Sequence, residues 1–301
     1  MSKILILGSQ GNLGNQLIKV FSNENDVTAW DREEIDITDE DLIKKKVRDI
    51  KPDIIINAAA YNAVDKCEES EEEYDLAKRI NIDGPRNIAE AALKVGAIFV
   101  HYSSDYVFNG KQKQGYKEDE ETSPIGRYGK TKAIGERQII ALSGKGLKWY
   151  LIRTSKLFGP KGASDLAKPS FFDIMLDLAK TKDKLDIIDE EKSCFTYTPD
   201  LANATKKLIS EKAGNGIYHI VNSEPCTWYE AARELFKIAR VDIKINPIAS
   251  DKFPRPAKRP KYSVLLNTKL KPLRDYKEAL REYLKIICHS ERNVVERRIP
   301  R

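Results

Sequence analysis

Apolar residues in the first half of the chain fall into short β-branched runs separated by longer stretches with helical spacing. "KILILG" is a continuous apolar run closed by a glycine, the pattern of a buried strand. "GNLGNQLIKVFS" follows, with Leu13, Leu17 and Val20 or Phe21 on one helical face. "DVTAWD" predicts a strand, "DEDLIKKKVRDI" a helix, "PDIIINAAA" a strand and "EEEYDLAKRINIDGPRNIAEAALKVG" a helical stretch. "AIFVHYSS", "GKTKAIGERQIIAL" and "KWYLIRTS" continue as strand, helix and strand. This alternation predicts βαβ units, hence an α/β fold with a doubly wound parallel sheet and helices on both faces.

The rhythm changes near residue 155. "SFFDIMLDLAK" and "TWYEAARELFKIAR" have helical spacing, "KLDIID" and "GIYHIVN" read as short strands, and "DKFPRPAKRPKYSVL" is dense in proline and base. The pattern predicts a sheet domain over 1–155 with a returning segment at about 196–222. A smaller, interleaved lobe is expected at about 156–195 and 223–287. "CHSERNVVERRIPR" has no clear apolar face, so 288–301 is expected to be a frayed tail. Trp228, Leu235 and Phe236 are expected to be core.

The composition fits a soluble globular protein: of 301 residues, 41% are hydrophobic and 33% charged. A net charge of +6 suits an anionic ligand. Basic residues are scattered and no nucleic-acid motif is present, so no nucleic-acid partner is expected. The opening apolar run is too short for a signal peptide and no later run has spanning length, so no membrane association is expected. The four cysteines are far apart without a CxxC, which predicts reduced thiols in a cytoplasmic protein. The three histidines are scattered; His101 and His219 fall in expected strands and read as packed structural residues. No metal-ligand spacing occurs, and no metal is expected. A monomer or a homodimer is expected.

"GSQGNLG" places Gly8, Gly11 and Gly14, with Leu13 among them, between the first strand and its helix. Small residues there let a pyrophosphate approach backbone N–H groups at a helix N-terminus, so a dinucleotide cofactor is expected. The spacing is GxxGxxG rather than the usual GxGxxG. Asp31 ends the second strand, where a carboxylate accepts from ribose hydroxyls, and Arg32 beside it suits a 2′-phosphate. NADH and NADPH both remain open. Asp36 and Ile37 are candidates to flank the adenine, and Ala58, Ala59 and Ala60 leave room at the end of the third strand.

The fourth strand ends in "HYSSDYVF", bringing Ser103, Ser104 and Asp105 to the same sheet edge. "RYGKTK" opens the next helix with Tyr128 and Lys132 four apart, on one face. A free phenol has a pKa of about 10, and an adjacent ammonium lowers it. Tyr128 then suits proton donation to a carbonyl oxygen as hydride arrives from a nicotinamide, and Ser104 suits hydrogen bonding to that oxygen. Arg255, Lys258 and Arg259 in the basic segment suit a pyrophosphate.

This constellation resembles the extended short-chain dehydrogenase/reductase family, with its Rossmann domain. "NAAAYNAVDKCEE", "HYSSDYVFNG", "YKEDEETSPIGRYGKTKAIGE", "IRTSKLFG" and "FPRPAKRPKYSVLLNTKL" resemble the dTDP-4-dehydrorhamnose reductase family from residue 3 to about 285. The resemblance implies reduction of the 4-keto group of a nucleotide-linked deoxysugar, dTDP-4-dehydro-L-rhamnose, by NADH or NADPH. It implies Tyr128 as proton donor, Lys132 on the nicotinamide ribose, and Ser104 in the role of a threonine or serine. It further implies cofactor contacts at Gln10, Gly11, Asn12, Asp31, Asp36, Ile37, Ala58, Ala59 and Ala60. Asp105 and Tyr106 would face the sugar, and the helix carrying Asn81 would pack under the site.

Three departures matter. In "DEEKSCFTYTPD" this chain has Ser193 and Phe195 where the family tends to have glycine and proline, so the base or sugar could differ. The family commonly has tryptophan where this chain has Lys156, so an aromatic platform for the sugar becomes a cation. Lys156 then meets a hydroxyl, a phosphate or water. Asn15 and Gln16 stand where some members place a magnesium-binding glutamate, so that metal is not carried over. The alternatives are another nucleotide-sugar ketoreductase or an epimerase of the superfamily, or a non-catalytic subunit resembling that of methionine adenosyltransferase. Tyr106 after Asp105 counts against a dehydratase, which usually has Asp-Glu there.

Overall fold

The structure, a computed structural model, describes residues 1–165 and 167–296, with side chains through residue 288. In the first half, β1 (Lys3–Leu7), α1 (Asn12–Phe21), β2 (Asp26–Trp30), α2 (Glu40–Ile50) and β3 (Ile54–Asn57) lead into α3 (Lys66–Glu69) and α4 (Glu71–Lys78). Then come α5 (Gly84–Val95), β4 (Ile98–Ser104), α6 (Arg127–Ala141) and β5 (Lys148–Thr154). The second half holds β6 (Leu157–Phe158), α7 (Phe171–Ala179), β7 (Lys184–Ile188), β8 (Thr196–Tyr197) and α8 (Thr198–Ser210). It ends with β9 (Gly216–His219), α9 (Trp228–Ala239), β10 (Lys244–Ile248) and α10 (Tyr276–Glu296).

Six strands form one sheet in the order β2-β1-β3-β4-β5-β9, and every neighbouring pair is parallel. Their apolar runs are continuous because both faces are covered. Leu5, Ile55 and Phe99 pack with Val47 of α2, Ile88 of α5 and Ile139 of α6 on one face. Ile6, Ile56 and Val100 pack with Leu17 of α1 and Leu201 of α8 on the other. Strand order reverses between β1 and β3, and their carboxyl ends open a crevice of the kind where ligands bind in such sheets.

The second lobe has its own core. α7, α9 and α10 enclose Phe172, Phe195, Leu235 and Leu280 beside the parallel pair β7 and β10. Capping boxes start α7 (Ser170 with Asp173) and α9 (Thr227 with Glu230), satisfying N–H groups that would otherwise lack partners. Both elements belong to a rhythm the sequence announced, whereas three other features differ from expectation.

The stretch expected to be helical changes helix type partway along. α4 passes through a π-helical turn, Arg79–Asp83, before α5 begins. Such turns accommodate an extra residue and recur at functional sites. This one presents the Asn81 carbonyl to α6 so closely that a Cβ on Gly135 would lie 2.2 Å from it. The frayed tail expected from Cys288 is helical through Glu296. Tyr276, Ala279, Leu280, Tyr283 and Leu284, at helical spacing, seat α10 in the lobe core, and backbone hydrogen bonding carries the helix onward. Residues 297–301 lie outside the described residues. The third difference is that Trp228, packed against the lobe core as expected, also lines a cavity of the site. Among the described residues no helix is long and apolar enough to cross a membrane, and no disulfide forms.

Candidate active site

The glycine-rich turn is built by close backbone approach. Gly8 sits at φ +74°, and a Cβ there would lie 2.5 Å from the Ala59 nitrogen, so β1 and β3 end in contact. A Cβ on Gly14 would fall 2.0 Å from the Gly8 oxygen. Gly11 is the N-cap of α1 with no side-chain cap, so the helix start presents backbone N–H groups. This cradle, whose close backbone approaches require glycine at positions 8 and 14, fits the pyrophosphate of a dinucleotide. Leu13 is buried in the core under α1, so its contribution there is restricted to its backbone.

Asp31 stands beside the turn. Its Oδ2 accepts from the Gln10 N–H (2.9 Å) and its Oδ1 from the Arg32 N–H (2.9 Å). Arg32 and Asp36 are exposed, and Asp36 Oδ1 accepts from both the backbone and hydroxyl of Thr38. Ile37 is a core residue against Gly84, because a Cβ on that glycine would lie 2.6 Å from the Ile37 side chain. Ala58 is tied to β1 through Leu7 O (2.9 Å), and the Ala59 N–H donates to Asn57 Oδ1 (3.0 Å). Ala60 is exposed at the crevice rim. A segment unforeseen in the sequence lies on the turn: Asn12 accepts from Gly162 N–H (2.8 Å) and donates to Lys168 O (2.9 Å).

At the end of β4, Ser104 accepts from the Tyr106 N–H (3.2 Å) and donates to Asp105 Oδ1 (3.1 Å). Asp105 is buried, and Ser263 donates to its Oδ2 (2.6 Å). Burial pushes the Asp105 carboxyl up to about 6, against the pull of Ser263 and Lys156. Tyr106 and Tyr128 meet edge to face, centroids 5.8 Å apart. Burial raises the Tyr128 pKa, while a hydrogen bond with Ser104 lowers it. Lys132 shares a helix face with Tyr128, yet its nitrogen donates to Tyr102 O (2.7 Å) on β4 and lies 3.4 Å from His101 Nε2. Burial pushes its pKa down to about 8. His101 is packed as expected, but against Lys132.

Tyr106 separates two small adjoining cavities. One is lined by Val64, Glu68, Tyr128 and Lys258, the other by Lys156, Glu191, Trp228, Arg259 and Ser263. Lys156 does not point to water: its nitrogen lies 3.6 Å from the Trp228 ring centre and 4.9 Å from that of Phe195. Burial lowers its pKa to about 8. The aromatic platform of this cavity comes from Trp228, which helical spacing alone marked as core. The two arginines are already paired within the protein. Arg255 bridges to Glu191, and Arg259 to Asp65 (2.8 Å). Asp65, Glu191 and Ser263 carried no sequence signal, since only folding brings them to the cleft.

The family model for the RmlD substrate binding domain matches residues 2–288. The dTDP-4-dehydrorhamnose reductase of Streptomyces griseus is 36% identical, over 94% of this chain and 93% of its own. A crystal structure of a dTDP-4-dehydrorhamnose reductase from Clostridium acetobutylicum is 40% identical, with TM-score 0.87, covering 95% of this chain and 99% of that one. The Bacillus anthracis reductase, solved in complex with NADP, is 33% identical with TM-score 0.87, covering 94% and 98%. On this match along nearly its whole length, the chain belongs to the RmlD family, that of the dTDP-4-dehydrorhamnose reductases.

Proposed function

We propose that this protein reduces the 4-keto group of dTDP-4-dehydro-L-rhamnose with NADPH or NADH, giving dTDP-L-rhamnose. The observation that carries the reading is the meeting of Ser104, Asp105, Tyr106 and Tyr128 at the end of β4, within the sheet edge that also holds the glycine-rich turn. The substrate is that named for the relatives, and the cofactor that bound to the Bacillus anthracis protein.

A bound nicotinamide would supply hydride to the keto carbon. Backbone groups of Gly8 to Gly14, with Gln10 and Asn12, would hold the pyrophosphate. Asp31 and Arg32 would meet the adenosine ribose, and the Ala58–Ala60 segment with Asp36 and the Ile37 backbone would line the remaining crevice. Lys132 would bind the nicotinamide ribose. Tyr128, kept protonated by burial, would donate its proton to the keto oxygen, and Ser104 would hydrogen-bond the same oxygen. Asp105, Tyr106 and Lys156 would face the sugar. Arg259 would meet the sugar nucleotide's pyrophosphate only by exchanging its Asp65 partner.

Loss of reduced-nicotinamide absorbance, with the keto sugar nucleotide made in situ and NADH and NADPH supplied separately, tests the reading. Turnover is expected. Cofactor binding without turnover on this sugar would overturn the substrate assignment. Lys156 in place of the usual tryptophan would then favour a different keto sugar.

A further inference from the structure

Beneath the proposed cofactor crevice, a chain of polar groups runs from β3 through β4 to α6. Asn57, His101 and Lys132 are all buried. The Ala59 N–H donates to Asn57 Oδ1 (3.0 Å), Asn57 Nδ2 faces His101 Nδ1 (3.2 Å), and His101 Nε2 faces the Lys132 nitrogen (3.4 Å). Lys132 also donates to Tyr102 O (2.7 Å).

The protons in this chain can be placed by elimination. A backbone N–H only donates, so Asn57 Oδ1 is fixed as its acceptor and Nδ2 must donate to His101. His101 Nδ1 is then an acceptor, and the neutral ring carries its hydrogen on Nε2, pointing at Lys132. Burial holds His101 well below its ordinary pKa, so the ring is not doubly protonated. An amine at Lys132 accepts that N–H, and every group is satisfied. An ammonium cannot. With Asn57 as placed, it leaves Nε2–H facing another donor. Moving the hydrogen to Nδ1 instead sets that N–H against Asn57 Nδ2. Flipping the Asn57 amide only transfers the conflict to Ala59. Unpaired buried donors are costly.

We propose that Asn57 and His101 are positioning residues that hold Lys132, in mildly alkaline solution, as an amine turned onto β4, so that cofactor binding in the crevice then draws one proton from solvent onto Lys132. The inference rests on the reading of Lys132 as a ribose-binding cation. The other ionisable groups around Lys132 are Tyr128 and Glu136 on its own helix, Arg153 of β5 paired to Glu136, and Asp105 beside Tyr128. Glu136 favours the ammonium, against burial. Ala59 belongs to the segment expected to line the cofactor crevice, so a shift there reaches the lysine through two side chains.

The test has two readouts. Long-range proton–nitrogen correlation spectra of the enzyme labelled with ¹⁵N-histidine report each ring's tautomer and need no cofactor; His101→Gln identifies the His101 signals. Above about pH 8, where Lys132 is an amine, the Nε2–H form is expected in the wild type, and the Nδ1–H form in Asn57→Asp, whose carboxylate must accept. NADPH binding by nicotinamide fluorescence is the second readout. Wild-type affinity should be level at neutral pH and fall by up to roughly tenfold per pH unit once pH rises through about 8. Both Asn57→Asp and His101→Gln, whose amide oxygen accepts from an ammonium, should move that fall to higher pH. A wild-type Nδ1–H tautomer above about pH 8, or a pH profile unchanged in both variants, overturns the proposal and leaves the cofactor reading intact. Failure to bind either NADPH or NADH at any pH overturns the cofactor reading and the proton linkage together.

Discussion

Arg153 and Glu136 form a two-pronged ion pair inside the protein, with Nε to Oε1 at 3.0 Å and Nη2 to Oε2 at 2.7 Å. Both side chains are 2% exposed. The pair clamps β5 to α6 one helical turn beyond Lys132. Removing one charge from a buried pair strands the other, which typically costs about 3–5 kcal/mol. Glu136→Gln keeps the volume and should lower stability by roughly that amount in urea unfolding. It should also lower the Lys132 pKa further, because Glu136 holds it up. A stability loss below about 1 kcal/mol, the range of exposed pairs, would show that the pair is not shielded as the burial implies.

Tyr128→Phe keeps the edge-to-face contact with Tyr106 and removes only the hydroxyl. Turnover should fall by about 10² to 10⁴, the usual contribution of a placed proton donor, with NADPH affinity unchanged. Stopped-flow and fluorescence titration separate the two quantities. Wild-type turnover in the variant would remove Tyr128 from the mechanism.

Lys156 lies over Trp228 within the second cavity. Lys156→Met fills similar space without charge. Loss of a charged hydrogen-bond donor is worth about 1.5–3 kcal/mol, so KM for the sugar nucleotide should rise at least roughly tenfold while NADPH binding stays level. An unchanged KM would place Lys156 out of reach of the sugar.

Asp105 supplies a pH signature. Its folded pKa of about 6 lies above the ordinary 3.8, because burial disfavours the carboxylate. Its contribution to stability is therefore complete below the ordinary value and is lost as pH rises through the folded one. In Asp105→Asn that loss is absent. The melting temperature of the variant relative to wild type should climb between pH 3.8 and about 6. A constant difference across that window would mean that Asp105 does not titrate there.

Much of the framework follows from local pattern. Continuous β-branched runs, glycine-punctuated ends and amphipathic stretches such as Leu13–Leu17 specify the strands, the helices and a parallel sheet, since strand and helix periodicities are properties of neighbouring residues. The positions of Ser104 and Tyr128 were legible for the same reason: each is fixed by the end of a strand or the start of a helix. The direction of side chains was not. Lys132 lies on the Tyr128 face by helical geometry, yet its nitrogen goes to β4, because a buried amine takes the nearest acceptor, Tyr102 O. Arg259 read as free for a phosphate, but Asp65, 194 residues earlier, occupies it. Trp228 had the spacing of a core residue and forms the aromatic wall beneath Lys156. The amino-acid sequence alone determined the parallel sheet and the glycine-rich turn at its edge. Only the tertiary structure decided which charges are already paired and where each buried donor points, because those partners come from segments distant in the chain and are selected by the requirement that buried polar groups be satisfied.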